Sequence, residues 1–199
     1  MIVNSRIAFF DAEFTANTSK DRGLQEMIQC ALIIYNASID DDKMHIIDMD
    51  NEALYTYTTY VHPNYNHTLS QYIKQLTHIK QSDIENGKSA EIVFNELLSV
   101  CEQYNVQVIC TWGPDKSIVK NNCAIIGLDK NVSNKLCDYF TDISLFVSRH
   151  LDCPKIVSQH KACKLSYVKE DGRNHNAYND ALNLSNLTKK ILSEVTIPL

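Results

Sequence analysis

Two acidic side chains stand at the end of an apolar segment near the start of the chain. Residues 9–15 read Phe-Phe-Asp-Ala-Glu-Phe-Thr, which places Asp11 and Glu13 two positions apart. Because side chains alternate between the faces of a β-strand, both carboxylates point the same way, about 7 Å apart. Such a pair can share a hard divalent cation. Without a cation, the repulsion between the two buried carboxylates raises the pKa of one of them. A solvated strand edge is the alternative, but the apolar run before the pair favours a metal site.

A third acidic residue follows a second apolar strand. Residues 108–115 read Val-Ile-Cys-Thr-Trp-Gly-Pro-Asp, so the strand breaks at Gly-Pro and Asp115 stands at the start of a helix. Proteins of the α/β class usually place functional groups at the carboxyl ends of strands. Taken alone, Asp115 is better explained as a helix cap and Trp112 as a core residue.

A histidine and a fourth acidic residue lie close together near the C-terminal end. His175 precedes the last predicted helix on a loop that contains Gly172, and Asp180 lies in the first turns of that helix. A histidine on such a loop can reach a water molecule, and an unperturbed pKa of about 6.5 suits a general base. A surface histidine beside a helix-cap acid explains this segment equally well. The hypothesis of a catalytic site therefore depends on the three segments occurring together in this order.

The elements that must position these residues can be predicted from apolar periodicity. Strands are predicted over residues 6–11, 27–36, 54–61 and 107–111, with a short strand near 138–141. Helices are predicted over residues 69–76, 81–86, 89–104, 117–126 and 176–192. Acidic residues 40–42 are expected in a hairpin connection, with 44–47 as a possible strand extension. Strands first, followed by strands that alternate with helices, predict an α/β fold on a mixed sheet.

The helix over residues 89–104 has the clearest amphipathic pattern. Ser89 is its expected N-cap. Its apolar stripe is predicted to consist of Ile92, Val93, Leu97, Val100 and Cys101.

Length and composition limit the kind of protein this is. The 199 residues, 44% of them apolar, suffice for one substantial core, so a single domain over residues 1–199 is predicted. The 7 cysteines include no Cys-x-x-Cys pair and lie mostly in apolar segments, which indicates reduced, buried thiols rather than disulfides or a zinc cluster. No signal-peptide pattern and no apolar run of about 20 residues is present, so we expect a soluble cytoplasmic protein without a membrane partner.

The charge of the chain bears on the choice of substrate. A net charge of -5 at first argues against a polyanion. However, four of the 24 acidic residues belong to the candidate site, where two bound divalent cations would cancel their charge. Residues 149–173 also contain six Lys or Arg against three Asp or Glu, although a solvated surface explains such a run as well.

The order Asp-x-Glu, Asp, His-x-x-x-x-Asp resembles the DEDDh group of 3′-to-5′ exonucleases, whose fold is similar to ribonuclease H. Thr-Trp-Gly before Asp115 and Gly-Arg-x-His-x-Ala-x-x-Asp-Ala at 172–181 are similar to the enhanced-RNAi type of exoribonuclease and its bacterial relative KapD. The resemblance includes Glu26-Met27-Ile28-Gln29, Val61-His62-Pro63 and Leu76-Thr77-His78-Ile79. Two positions depart from the family pattern: Pro114 alone separates Trp-Gly from Asp115, and His78 stands where glycine is commoner. The resemblance implies a ribonuclease H-like mixed sheet flanked by helices.

The resemblance also implies a mechanism with two metal ions. Asp11, Glu13 and Asp180 would ligate one ion, while Asp11 would also contact the second, which Asp115 would hold through water. His175 would remove the proton from the attacking water. Ligands that are all oxygen atoms indicate Mg²⁺ or Mn²⁺, two per site.

The implied partner is the 3′ end of a single-stranded nucleic acid. Phe14 and Trp112 are candidates for stacking on terminal bases, although ordinary core packing is an equal alternative for each. Thr15, Leu76 and Thr77 are candidate substrate-binding residues from the family pattern alone. The basic run at 149–173 could guide the phosphate backbone to the site.

The favoured substrate is RNA, hydrolysed to nucleoside 5′-monophosphates, and two alternatives stay open. One is the same chemistry on single-stranded DNA, because the sequence does not expose contacts to a 2′-hydroxyl. The other is a catalytically silent nucleic-acid-binding module on the same fold. The presence of all five polar groups argues against the silent module, since their repulsion without metal would destabilise the fold.

Overall fold

A computed structural model describes residues 1–16 and 24–199 of the chain. In this part of the chain, one mixed sheet contains eight strands. They are β1 (Ile2–Phe14), β2 (Met27–Asp40), β3 (His45–Met49), β4 (Tyr55–His62), β5 (Lys88–Ser89), β6 (Val106–Thr111), β7 (Phe140–Asp142) and β8 (Ile197–Pro198). The main path runs β5-β4-β2-β1-β6-β7, and β3 pairs with both β2 and β8.

Helices connect the later strands and cover the sheet. They are α1 (Gln71–Thr77), α2 (Gln81–Glu85), α3 (Ala90–Gln103), α4 (Asp115–Ile125), α5 (Lys130–Asp138), α6 (Ser144–His150), α7 (Gln159–Leu165) and α8 (Ala177–Leu192). The early strands β1, β2 and β4 pair antiparallel, whereas β6 pairs parallel with both β1 and β7. Parallel strands need long connections, which the helices supply.

Alternate residues of β1 serve the two sides of the sheet. Residues 8, 10 and 12 pack into the hydrophobic core that includes α3 and α4, while Ile7 and Phe9 pack into the core on the α8 side. Both faces of the strand are therefore buried, which explains its continuous apolar sequence. By the same alternation, Asp11 and Glu13 project on the α8 side, just beyond the apolar part of the strand.

The α/β class and the mixed sheet predicted from the sequence are confirmed, and the main elements lie where periodicity placed them. The strands β1 and β2 are longer than predicted, and the possible extension at 44–47 is the separate strand β3. Ser89 caps α3 by accepting a hydrogen bond from the Ile92 backbone N–H. The assignment of Ile92 to the buried stripe was wrong: it is 50% exposed, whereas its neighbour Val93 is fully buried, so the stripe runs through Val93 and not through Ile92.

The cysteines are in the state that composition predicted. All seven are free, six of them are buried, and Cys153 is partly exposed. Burial raises the pKa of the Cys110 and Cys163 thiols to about 12, so both are protonated at neutral pH. Among residues 1–16 and 24–199, no helix is long and apolar enough to cross a membrane.

Candidate active site

Three of the predicted acidic residues meet at the end of β1. Asp11 and Glu13 project from the strand, and Asp180 faces them from the first turns of α8, so that one carboxylate oxygen from each lies within 4.8 Å of the others. The helix is held in register by its N-cap, because the Asn176 side chain accepts from the Asn179 backbone N–H at 3.2 Å. The side-chain alternation of β1 and the start of α8 thus bring these three carboxylates to one point.

Asp115 approaches the same group from β6. Because β6 lies beside β1 in parallel, its carboxyl end opens next to Asp11, and Asp115 is buried there with 6% of its surface exposed. Pro114 occupies the N-cap of α4, so Asp115 begins the helix and does not cap it. The preceding turn is fixed by Asp142 at the end of β7, whose Oδ1 accepts from the Gly113 N–H at 3.0 Å.

Burial and mutual repulsion make these carboxylates costly to ionise. Burial, followed by the charges of Asp115, Glu13 and Asp180, raises the pKa of Asp11 well above its usual value. Burial and the charges of Asp180 and Asp115 raise the pKa of Glu13 to about 8, although the Arg173 charge partly opposes this. Burial likewise raises the pKa of Asp115 to about 7.

The donor set fits hard divalent cations. The four side chains offer only carboxylate oxygens, the ligands that Mg²⁺ and Mn²⁺ prefer. None of the four forms an ion pair with Lys or Arg in the part of the chain that the structure describes. A bound cation would therefore supply the charge compensation that no Lys or Arg ion pair provides for these four carboxylates.

His175 lines the same cavity from a tightly held loop. Its backbone has φ 61°, and its N–H donates to Asp180 Oδ2 at 2.8 Å, so a site carboxylate also shapes the loop. Gly172 makes this turn possible: it has φ 66°, and a Cβ there would lie 2.3 Å from the Asn179 side-chain nitrogen. Among described residues the His175 imidazole makes no hydrogen bond, which leaves it free for water or substrate.

The cavity in front of the carboxylates has a volume of about 440 Å³. Its lining consists of Asp11, Ala12, Glu13, Trp112, Ser158, Gln159, His160, Glu170, Asn174, His175 and Asp180. Ligand sites for small molecules commonly measure roughly 300 to 1,000 Å³, so one nucleotide is of suitable size. The α7 residues at its rim, His160 among them, were not singled out by the sequence motifs.

Of the five predicted substrate-binding residues, the structure brings only Trp112 into the lining of this cavity. Its indole Nε1 donates to the Val157 carbonyl at 3.0 Å, which fixes the ring. Phe14 packs at the edge of the α3-side core, and Leu76, in α1, packs at the edge of a small cluster that includes Ile73. The Thr77 hydroxyl is buried and donates to the Ile73 carbonyl at 2.9 Å.

Thr15, the remaining candidate, has a structural role together with Glu26. The Thr15 hydroxyl accepts from the Glu26 backbone N–H at 2.9 Å. The buried Glu26 carboxylate in turn accepts backbone N–H groups of residues 64–66, the shortest at 2.6 Å, and so fixes the loop after β4. Contacts of Thr15, Thr77, Leu76 and Phe14 with substrate stay predictions.

Two buried amides hold α8 and its loop, a role that the sequence reasoning assigned to neither. Gln29 Oε1 accepts from the Ala177 N–H at 3.1 Å, and thereby ties the start of α8 to the central strand β2. The Asn183 side chain accepts from the Asp171 N–H at 2.7 Å and donates to the Asp171 carbonyl at 3.2 Å. The available signal was a polar residue inside an otherwise apolar strand or helix stripe.

Comparison with known proteins gives one family and many related structures. The RNase_T family model, described as "Exonuclease", matches residues 8–188. No curated protein matches the sequence.

Three solved structures illustrate the likeness. A 3′-exonuclease described as recognising the 3′ end of a histone mRNA stem-loop has 16% identity and a TM-score of 0.73, with 96% of this chain and 82% of that chain covered. The nuclease domain of 3′hExo, described as a DEDDh family member bound to rAMP, has 15% identity and a TM-score of 0.72, with 96% and 92% covered. S. pombe Pop2p with Mg²⁺ and Mn²⁺ has 18% identity and a TM-score of 0.65, with 94% and 83% covered. These likenesses confirm the ribonuclease H-like exonuclease fold.

Proposed function

The chain belongs to the RNase_T exonuclease family, and on that premise we propose that it hydrolyses single-stranded RNA from the 3′ end, releasing nucleoside 5′-monophosphates. The observation that supports this most is the meeting of Asp11, Glu13 and Asp180 within 4.8 Å, in a cavity that also contains His175. We further propose that residues 1–199 form a single exonuclease domain.

The proposed cofactors are two Mg²⁺ or Mn²⁺ ions. Asp11, Glu13 and Asp180 would hold one ion, and Asp11 with Asp115 would hold the other. When bound, the ions would neutralise charge on the scissile phosphate and help the attacking water to ionise. The same four carboxylates without cations would leave a concentrated negative charge that repels the phosphate backbone.

His175 is the proposed general base. It lies on the cavity wall, and the contact between its backbone N–H and Asp180 Oδ2 fixes its loop beside the proposed metal ligands. An imidazole there can take the proton of the attacking water, while the 3′-oxygen of the upstream nucleotide leaves. The hydrogen bond to Asp180 and the close packing of Gly172 against Asn179 hold the loop in one conformation, which favours productive alignment.

The preference for RNA is supported by two of the related structures. Two related structures are described with an mRNA stem-loop and with rAMP, a ribonucleotide. Trp112 offers a fixed aromatic ring in the cavity wall, where stacking accepts any base. Stacking also suits a substrate without a fixed sequence, as expected for an enzyme that removes successive nucleotides.

The decisive experiment is digestion of matched RNA and DNA oligomers with free and blocked 3′ ends. With Mn²⁺, the free RNA should shorten one nucleotide at a time and release 5′-monophosphates, while the blocked RNA and a chelated sample should not change. Internal cuts, or shortening of the blocked oligomer, would refute the 3′-end mechanism. Faster digestion of the DNA oligomer would replace RNA with single-stranded DNA as the substrate.

A calorimetric titration with Mn²⁺ tests the catalytically silent alternative. Two bound ions per chain support the enzyme, and the Asp180→Asn variant should bind at least one fewer. If the wild-type protein binds nucleic acid but no Mn²⁺, the silent binding module is correct and the two-metal proposal is wrong.

A further inference from the structure

A second histidine, His160, lines the cavity, and it belongs to none of the sequence motifs that contain the candidate catalytic residues. His160 lies at the start of α7, and its ring Nδ1 contacts the Glu170 carboxylate, with the Asn174 side-chain nitrogen 3.2 Å from the same atom. All three residues belong to the cavity lining. The His160 side chain retains 44% exposure whereas Glu170 retains 17%, so the imidazole faces open space and the carboxylate supports it from behind.

The position of His160 is fixed relative to the proposed metal ligands. Its neighbour Gln159 donates from Nε2 to the Asp180 backbone carbonyl at 2.7 Å, which ties the start of α7 to the turn of α8 that carries Asp180. Ser158 caps α7 by accepting from the Lys161 N–H at 3.3 Å. The imidazole is therefore held on elements that are themselves joined to the site.

The partner at Nδ1 determines what the other ring nitrogen can bind. The Glu170 carboxylate only accepts hydrogen bonds, and it lies closer to Nδ1 (2.5 Å) than the Asn174 amide nitrogen does (3.2 Å), so Nδ1 carries the proton and donates it to Glu170. In the neutral imidazole, Nε2 is then a bare acceptor. Within the part of the chain that the structure describes, Nε2 of His160 has no hydrogen-bond partner. A substrate group that binds Nε2 must therefore be a hydrogen-bond donor.

A nucleic-acid 3′ end offers few such donors. Phosphodiester oxygens carry no proton at neutral pH, and base donors differ from one nucleotide to the next. Ribose hydroxyls are present at every position, and the 2′-hydroxyl is the group that distinguishes RNA from DNA. The nucleotide whose 3′-oxygen leaves carries its 2′-hydroxyl on the adjacent carbon, which brings that hydroxyl next to the scissile phosphate.

We propose that His160 Nε2 accepts a hydrogen bond from the 2′-hydroxyl of the penultimate nucleotide, and that Glu170 sets the tautomer which makes this possible. His160 is then a specificity-determining residue that favours RNA over DNA. This inference rests on the proposed function, because it requires the scissile phosphate to sit at Asp11, Glu13 and Asp180.

The test measures kcat/KM for the first cleavage of three oligomers of one sequence. One is all RNA, one has a single 2′-deoxy nucleotide at the penultimate position, and one has it at the terminal position. Wild-type protein should cleave the all-RNA oligomer roughly three- to tenfold faster than the penultimate 2′-deoxy oligomer, as expected for one hydrogen bond. In His160→Phe this ratio should fall to about 1, because the contact to the 2′-hydroxyl is lost.

Two further variants separate the proposed contact from a structural effect. Glu170→Gln can donate an amide proton to Nδ1 and so move the ring proton to Nε2, which should also abolish the preference although the ring remains. His150→Phe is the matched control, because His150 also pairs with a glutamate, Glu194, but lies outside the cavity lining. This control should keep the wild-type ratio.

Several results would overturn the assignment. Equal slowing of all three oligomers by His160→Phe would indicate a phosphate contact or a structural role. An unchanged ratio in His160→Phe, or no penultimate preference in wild-type protein, would show that Nε2 does not bind this hydroxyl. If wild-type protein digests none of the oligomers, the proposed function itself fails, whereas digestion without discrimination overturns only the role of His160.

Discussion

Replacing Glu13 by glutamine should stabilise the metal-free protein near neutral pH. Burial and the neighbouring charges of Asp180 and Asp115 raise the pKa of Glu13 from 4.5 to about 8. A carboxyl group with a raised pKa binds more protons in the folded state than in the unfolded state between those two values. The stability that this group contributes is therefore fully present below pH 4.5 and is lost as the pH rises through 8.

The size of the effect follows from the same shift. Glu13 is 8% exposed, so solvent screens it little. At about 1.36 kcal/mol per pH unit, the free energy of unfolding falls by on the order of 3 kcal/mol between pH 4.5 and pH 7. Glutamine has nearly the same shape and no charge, so Glu13→Gln should recover much of this loss. For a chain of this length, about 3 kcal/mol corresponds to a Tm increase of roughly 6 to 12 °C.

Thermal and urea unfolding, followed by circular dichroism in chelator from pH 4.5 to pH 8, measure this difference. The variant should match the wild type near pH 4.5 and exceed it increasingly from pH 5 to pH 8. With saturating Mn²⁺ the order should reverse, because the wild type has one more ligand for the ion. Glu85→Gln, an exposed change outside the carboxylate cluster, is the control and should show neither trend. A variant that is less stable than wild type at pH 7.5 in chelator would refute this account of the site.

The remaining predictions concern the proposed ligands, the general base and one strained residue. Asp180→Asn should abolish metal-dependent digestion while its circular dichroism spectrum and Tm in chelator stay native or better, and full activity would remove the proposed site. His175→Ala should lower kcat by roughly 10² to 10⁴ with a much smaller effect on RNA binding measured by fluorescence anisotropy, and an equal loss in both would contradict a general base. His78 ends α1 with φ 60°, so His78→Gly should raise the free energy of unfolding by about 0.5 to 1 kcal/mol relative to His78→Ala, and a lower value would show that the turn is not strained.

Much of the secondary structure could be predicted because the larger elements have clear apolar patterns. The central strand β2 is a nearly continuous apolar run, as expected when both faces are buried, whereas α3 and α8 each have one buried apolar stripe; all three lie close to the predicted residues. The helices α5, α6 and α7 were not predicted, because they are short and only a few positions in each are buried. In α5, for example, only Leu136 and Cys137 are fully buried, so polar residues dominate the sequence.

The site was predictable only in part. The motifs selected Asp11, Glu13, Asp115, His175 and Asp180, and the structure brings three of these carboxylates within a common ligand distance, with Asp115 next to them. Their metal-binding and catalytic roles stay predictions. The sequence did not select the supporting amides or the His160–Glu170 pair, since hydrogen bonds between distant segments leave no local pattern.

By itself, the sequence determined which residues could do chemistry and which local elements carry them. Side-chain alternation puts Asp11 and Glu13 on one face of a strand, and helix capping puts Asp180 one turn into α8, because both effects act over a few neighbouring residues. The tertiary structure alone decided that β6 lies parallel to β1, which sets Asp115 beside Asp11, and that α7 brings His160 to the cavity rim. Strand order and packing depend on burial summed over distant segments, so the electrostatic character of the site arises only when the chain is folded.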